Sequence, residues 1–133
     1  LIHGLHVCRP EATAEAVAGA TVVVEAIAGR QRPYGIRNQA HLSTVTRILV
    51  ERVWKGEIPD TLYVFSGSGG GDCGFQFTDG VRYLLFLYRE PEGRLTTSTC
   101  TSSAVSATIG EQIEILGPHD DSPVPWSQST LEA

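Results

Sequence analysis

The run His41 to Lys55, HLSTVTRILVERVWK, constrains the fold of this chain more than any other stretch. Leu42, Thr44, Thr46, Ile48, Val50, Arg52 and Trp54 alternate with Ser43, Val45, Arg47, Leu49, Glu51 and Val53. A period of two predicts one long strand. In its second half apolar residues fall on both faces, which requires either cover on both sides or a bulge that switches the inward face. Four more strands are expected. Thr21 to Ala28, TVVVEAIA, is rich in β-branched residues, and Thr61 to Ser66 and Val81 to Arg89 are bounded by turn signals. Arg94 to Cys100 follows the PEG turn. GRQRPYGIRNQ, from Gly29, reads as a loop and KGEIPD as a turn. Strands of this length with two apolar faces predict a mainly β fold, a small closed or partly closed five-stranded barrel.

Short helices are expected at the margins. Pro10 to Ala20 begins with a proline suited to a first turn, is Ala-rich and reaches Gly19 as a terminator. Thr108 to Leu116 sets Ile109, Ile113 and Leu116 at helical spacing. A chain of 133 residues fits one domain. That domain is expected over Leu1 to Gly117, with Pro118 to Ala133, rich in Pro, Ser and acids, as a flexible tail carrying Trp126. The longest apolar run, Tyr83 to Tyr88, is strand-sized and far below the roughly 20 residues of a spanning helix, so no membrane insertion is expected. A leading Leu1 and the lack of methionine are expected of a processed segment whose signal peptide has been removed.

The net charge of −5, with scattered acids, disfavours nucleic acid as a partner, since phosphate binding needs clustered cations. Arg30, Arg32 and Arg37 read as a solvated loop. The Gly-rich run Ser66 to Gly74, SGSGGGDCG, lacks the Lys and Ser or Thr of a phosphate loop and reads as a linker between strands. The three cysteines, Cys8, Cys73 and Cys100, are widely spaced without C-x-x-C, which argues against a zinc ribbon or a dithiol redox motif. They allow one long-range disulfide plus an odd cysteine, as in an extracellular, periplasmic or cell-surface protein.

LHVCRP, Leu5 to Pro10, adds a histidine beside a cysteine. With His3 it makes H-x-x-H-x-C, and on an extended segment His6 and Cys8 face one side. Ordering three ligands at a terminus is costly and no fourth is evident, so a tether at Cys8 with solvated histidines is the simpler account. No nucleophile signature surrounds any cysteine, and neither Asp120 with Asp121 nor Glu111 with Glu114 forms an acid–base pair. No cofactor, metal or catalytic group is expected.

Taken in order, a helix after C-x-P, VERVWKG, DCGFQFTDGVRYLLFL and GRLTTSTC resemble the netrin-like domains, in particular those similar to tissue inhibitors of metalloproteinases. The resemblance covers about Cys8 to Gly117. It implies a five-stranded OB-type barrel with flanking helices, working outside the cytoplasm as a non-enzymatic protein-interaction module. It also implies a Cys8–Cys100 disulfide and an unpaired Cys73. In the resembling inhibitors an amino-terminal cysteine chelates the protease zinc; here His6 stands at that place and Leu1 to Leu5 precede it. The corresponding partner-binding edge is His6, Val7, Cys8, Arg9, Pro10, Gly70, Gly71, Asp72 and Cys73. The partner is another protein, with inhibition of a zinc metalloproteinase as the alternative.

Overall fold

Five strands close into a barrel in the computed structural model, which describes residues 14–35, 43–67, 74–98, 103–105 and 116–121. They are β1 (Val22–Pro33), β2 (Thr44–Lys55), β3 (Thr61–Ser66), β4 (Arg82–Arg89) and β5 (Leu95–Thr96). Around the barrel the order is β1-β2-β3-β5-β4, and β4 returns to β1 through the register Val22↔Leu87 to Ile27↔Arg82. All neighbours are antiparallel except β3 and β5, which are parallel. Two short strands, β6 (Ala104–Val105) and β7 (Asp120–Asp121), add to β4 and β2. One short helix, α1 (Ala14–Gly19), stands among the described residues.

The two-faced β2 owes its pattern to the bulge. Ala26 pairs with Val50 but Glu25 with Arg52, so Glu51 is passed over. Ile48 and Val50 point into the barrel before the shift, and Val53 packs on the same interior after it, while Trp54 turns to the outside. An extra residue in one strand changes which parity faces inward.

β1 and β4 are apolar on both faces for a different reason: both sides are covered. Val22, Val24, Ala26 and Ala28 with Tyr83, Leu85 and Leu87 fill the interior. Val23, Leu84 and Phe86 face outward and are buried with Ala20 and Ala104, under Ala16 and Val17 of α1 and Leu116. The barrel therefore has a second apolar layer on its β1–β4 wall.

VERVWKG divides its work residue by residue. The Trp54 indole donates to Gly117 O at 3.1 Å. The Lys55 ammonium donates to Val17 O and Ala18 O at 2.9 and 3.0 Å, satisfying carbonyls at the end of α1, where a cation is favoured. Gly56 turns the chain at φ 104°, and a Cβ there would lie 3.1 Å from Val22 Cγ2 and 3.4 Å from Thr21 O. Gly56→Ala is therefore expected to cost about 1–2 kcal/mol in urea unfolding, against a few tenths for a change at an open surface position.

Three expectations change. The loop expected from Gly29 continues β1 instead: Gln31, Arg32 and Pro33 pair with Thr46, Val45 and Thr44. A register shift between Ala28 and Gln31 absorbs the glycine, and Pro33, which has no N–H, sits at the strand's last position. β5 is shorter than Arg94 to Cys100: it ends at Thr96, after which the Thr97 hydroxyl turns to Ser103 Oγ and Phe86 O. The segment expected as a tail from Pro118 begins with β7, where Val53 pairs with Asp120 and Arg52 with Asp121, and the His119 ring meets Trp54 edge-on at 5.4 Å. Of the expected helices, 10–13 and 108–115 lie outside the described residues, as does Trp126.

Candidate functional site

The residues read from the sequence as a binding edge, His6, Val7, Cys8, Arg9, Pro10, Gly70, Gly71, Asp72 and Cys73, lie outside the described residues, as do His3 and Cys100. Their flanks are described. Gly74, which follows Cys73, forms an isolated antiparallel bridge with Ser98, two residues before Cys100. A buried hydroxyl network holds that end together. Ser66 Oγ accepts from Phe75 N–H at 2.8 Å and donates to Thr97 O at 2.7 Å. Ser103 Oγ accepts from Phe86 N–H at 2.8 Å and lies 2.9 Å from Thr97 Oγ1. Thr97 of TTSTC is thus spent on the barrel, tying β3, β4 and the residue 103 segment to one point. Gln31 Nε2 donates to Phe75 O and Thr44 Oγ1, tying the Phe75 backbone to the β1–β2 corner.

A second feature was not read from the sequence. On the outer side of β2 and β3 an open groove of about 800 Å³ runs toward β5. Tyr34, Val45, Ile58, Pro59, Leu62, Tyr63, Phe65, Gly93 and Leu95 line it, with Glu57 and Glu92 beside Arg89 and Arg94. Alternation puts Tyr63 and Phe65 on one face of β3, away from the inward Leu62, Val64 and Ser66. Phe65 pairs with Val45, and the Tyr34 ring meets it edge-on at 4.9 Å. Tyr63 is 57% exposed, an unusual position for so large a ring. The one signal for this face in the sequence was Y-x-F in a strand whose alternate residues are core.

Arg94 anchors the electrostatics of the groove. Its guanidinium lies 5.8 Å from the Phe65 ring centroid and 3.3 Å from the Glu92 carboxylate, whose side chain is 58% exposed. A hydrogen bond with the Tyr34 side chain, then Glu92, raises its pKa above the ordinary arginine value, so it is a cation at every working pH. Arg89 Nη1 donates to Gly93 O at 3.0 Å. Among the described residues no group of three or more His, Cys, Asp or Glu side chains is placed to hold a metal ion. No described helix is long and apolar enough to cross a membrane. In comparison with known proteins, no family model matches the chain and no curated protein matches it in sequence.

Proposed function

We propose that this chain is a netrin-like module with an OB-type barrel, secreted or surface-exposed, that binds another protein and carries out no chemistry of its own. The observation that carries the reading is the closed order β1-β2-β3-β5-β4 with its parallel β3–β5 contact, beside an outer wall covered by α1 and Leu116. It agrees with the architecture the resemblance implies: five strands in a closed barrel and an amino-terminal helix on the outside. The binding edge is His6 to Pro10 with Gly70 to Cys73. The Gly74–Ser98 bridge supports it by bringing together the chain flanking Cys73 and the chain leading to Cys100. The resemblance implies Cys8 and Cys100 as the disulfide pair and leaves Cys73 unpaired. Such a disulfide constrains the unfolded chain by about 4–5 kcal/mol in the chain-entropy model.

The test is peptide mapping of unreduced protein after alkylation under denaturing conditions. The expected result is a Cys8–Cys100 link and alkylated Cys73, with one reactive thiol before reduction and three after. Three reactive thiols without reductant, or a Cys73–Cys100 link, would remove the netrin-like reading. Metalloproteinase inhibition is the second reading, favoured only by where the edge falls. A zinc endopeptidase assayed with excess protein is expected to keep full activity, since His6 replaces the chelating cysteine behind Leu1 to Leu5. Stoichiometric inhibition would make the second reading the correct one.

A further inference from the structure

One edge of β2 changes partner along its length. β1 follows the first edge from Thr44↔Pro33 to Lys55↔Val23. On the second, β3 pairs from Thr44↔Ser66 to Leu49↔Thr61, and Val50 N–H still donates to Asp60 O. Beyond that point, among the described residues, the second edge is taken by β7 alone, through Arg52↔Asp121 and Val53↔Asp120. The Trp54 indole on Gly117 O and the Trp54–His119 ring contact help to hold this strap. Gly117 to Asp120 are exposed, so water competes for these contacts. The strap's sequence, PHDDSPVP from Pro118, also ends the sheet. Proline has no N–H to give a ladder, and exposed acids discourage a further strand.

We propose that residues 116–121 guard a self-association surface: with the strap lifted, Glu51 to Lys55 of two copies pair antiparallel about a two-fold axis at Val53. ERVWK is self-complementary in that register. Val53 meets its own counterpart, and Arg52 lies opposite Trp54 of the other copy on the outer face, where a guanidinium and an indole attract. Within one copy Arg52 already sits 5.5 Å from the Trp54 ring. The charges along the edge do not oppose the pairing, because each is matched inside its own copy. Arg52 keeps the Glu25 carboxylate, Glu51 keeps Arg82, and Lys55 keeps the carbonyls at the end of α1. The guard is electrostatic as well as steric. Residues 118–133 contain Asp120, Asp121 and Glu132 and no Lys or Arg, so they carry −3 of the net charge of −5. Lifting the strap takes Asp120 and Asp121 off the edge and lowers the repulsion between copies. The contact is short, so the pairing is weak and reversible. The inference does not depend on the amino-terminal binding edge.

The experiment compares the full chain with two variants that unseat the strap, by sedimentation velocity over a concentration series. Asp120→Pro with Asp121→Pro removes the strap's main-chain donors. Gly117→Val strains the turn that Gly117 makes at φ 81°, where no β-branched residue sits comfortably. Both variants are expected to dimerise with a Kd at least about tenfold below that of the parent chain. Thermal unfolding of each variant, close to that of the parent, is the folding control. Adding Trp54→Ala to either variant is expected to return it to monomer, as is an excess of the synthetic peptide PHDDSPVP. Amide exchange at Arg52 and Val53 is expected to be fast in the dilute variants and slow again in their dimers. Variants no more associated than the parent overturn the inference. So does association unmoved by both Trp54→Ala and the peptide, which would place the contact on another surface. Exchange at Arg52 and Val53 that is equally slow in parent and dilute variants would also overturn it, since the strap would then not be what covers the edge.

Discussion

Phe86→Ala is expected to destabilise the protein by about 3–5 kcal/mol, although Phe86 does not point into the barrel. The ring is fully buried on the outer wall, with Val23, Leu84 and Ala104, beneath Ala16 and Val17 of α1. Truncation there leaves a cavity between two layers. One layer is a sheet held by continuous pairing with β1, so the gap cannot close by a shift of β4. A loss of that size is a large part of the roughly 5–15 kcal/mol that holds a domain together. Tyr63→Ala, also an aromatic on an outer barrel face, is expected to change stability by less than about 1 kcal/mol because its ring is already in water. Urea unfolding of both variants checks the contrast. Equal effects would mean that α1 and Leu116 do not seal the β1–β4 wall in solution.

Arg52→Ala is expected to cost about 2–4 kcal/mol, chiefly through what it leaves behind. Glu25 lies on the same outer wall with its side chain 4% exposed, and Arg52 Nε donates to its Oε1 at 2.6 Å. Without the guanidinium a buried carboxylate has lost its cation. The range lies below that of a fully buried pair because the Arg52 side chain is 36% exposed and shares its charge with water. Part of the loss comes from Trp54, over whose ring the Arg52 guanidinium sits at 5.5 Å. The pair Glu25→Leu with Arg52→Met is expected to recover most of the stability, since an apolar pair of similar volume needs no desolvated charge. Should the double variant be as unstable as Arg52→Ala, the damage lies in lost packing and not in the orphaned carboxylate.

The strands that carry most of the barrel were legible because their patterns are long. Thr61 to Ser66 is β3 as expected from its turn-bounded apolar run, and the two-faced run in β2 reports a real bulge at Glu51. β1 was legible only to Ala28. Beyond it Gly29, Arg30 and Pro33 look like a loop, and only pairing with Thr44 to Thr46, a tertiary partner, makes them strand. β6 and β7 are each two residues long, too short for any period to show. Burial of both faces of YLLFL was visible, but its cover was not, since Ala16, Val17, Ala104 and Leu116 are distant in sequence. The groove was illegible for a related reason. Tyr34, Val45, Ile58, Tyr63 and Arg94 come from separate segments, and no local spacing announces that the parallel β3–β5 contact stops at Val64.

The closing of β1 onto β4 also sets a timetable. β1, β2 and β3 follow one another as antiparallel neighbours, so they can assemble once Ser66 has been made. The free side of β1, VVVEAIA, must wait for Arg82 to Arg89 to arrive. During that interval an apolar strand edge is open on the side that another nascent or refolding chain can reach. Aggregation therefore competes with ring closure, and dilution favours the native product. The same two-sided apolar strand that makes the finished barrel tight is the segment on which its folding is most exposed to error.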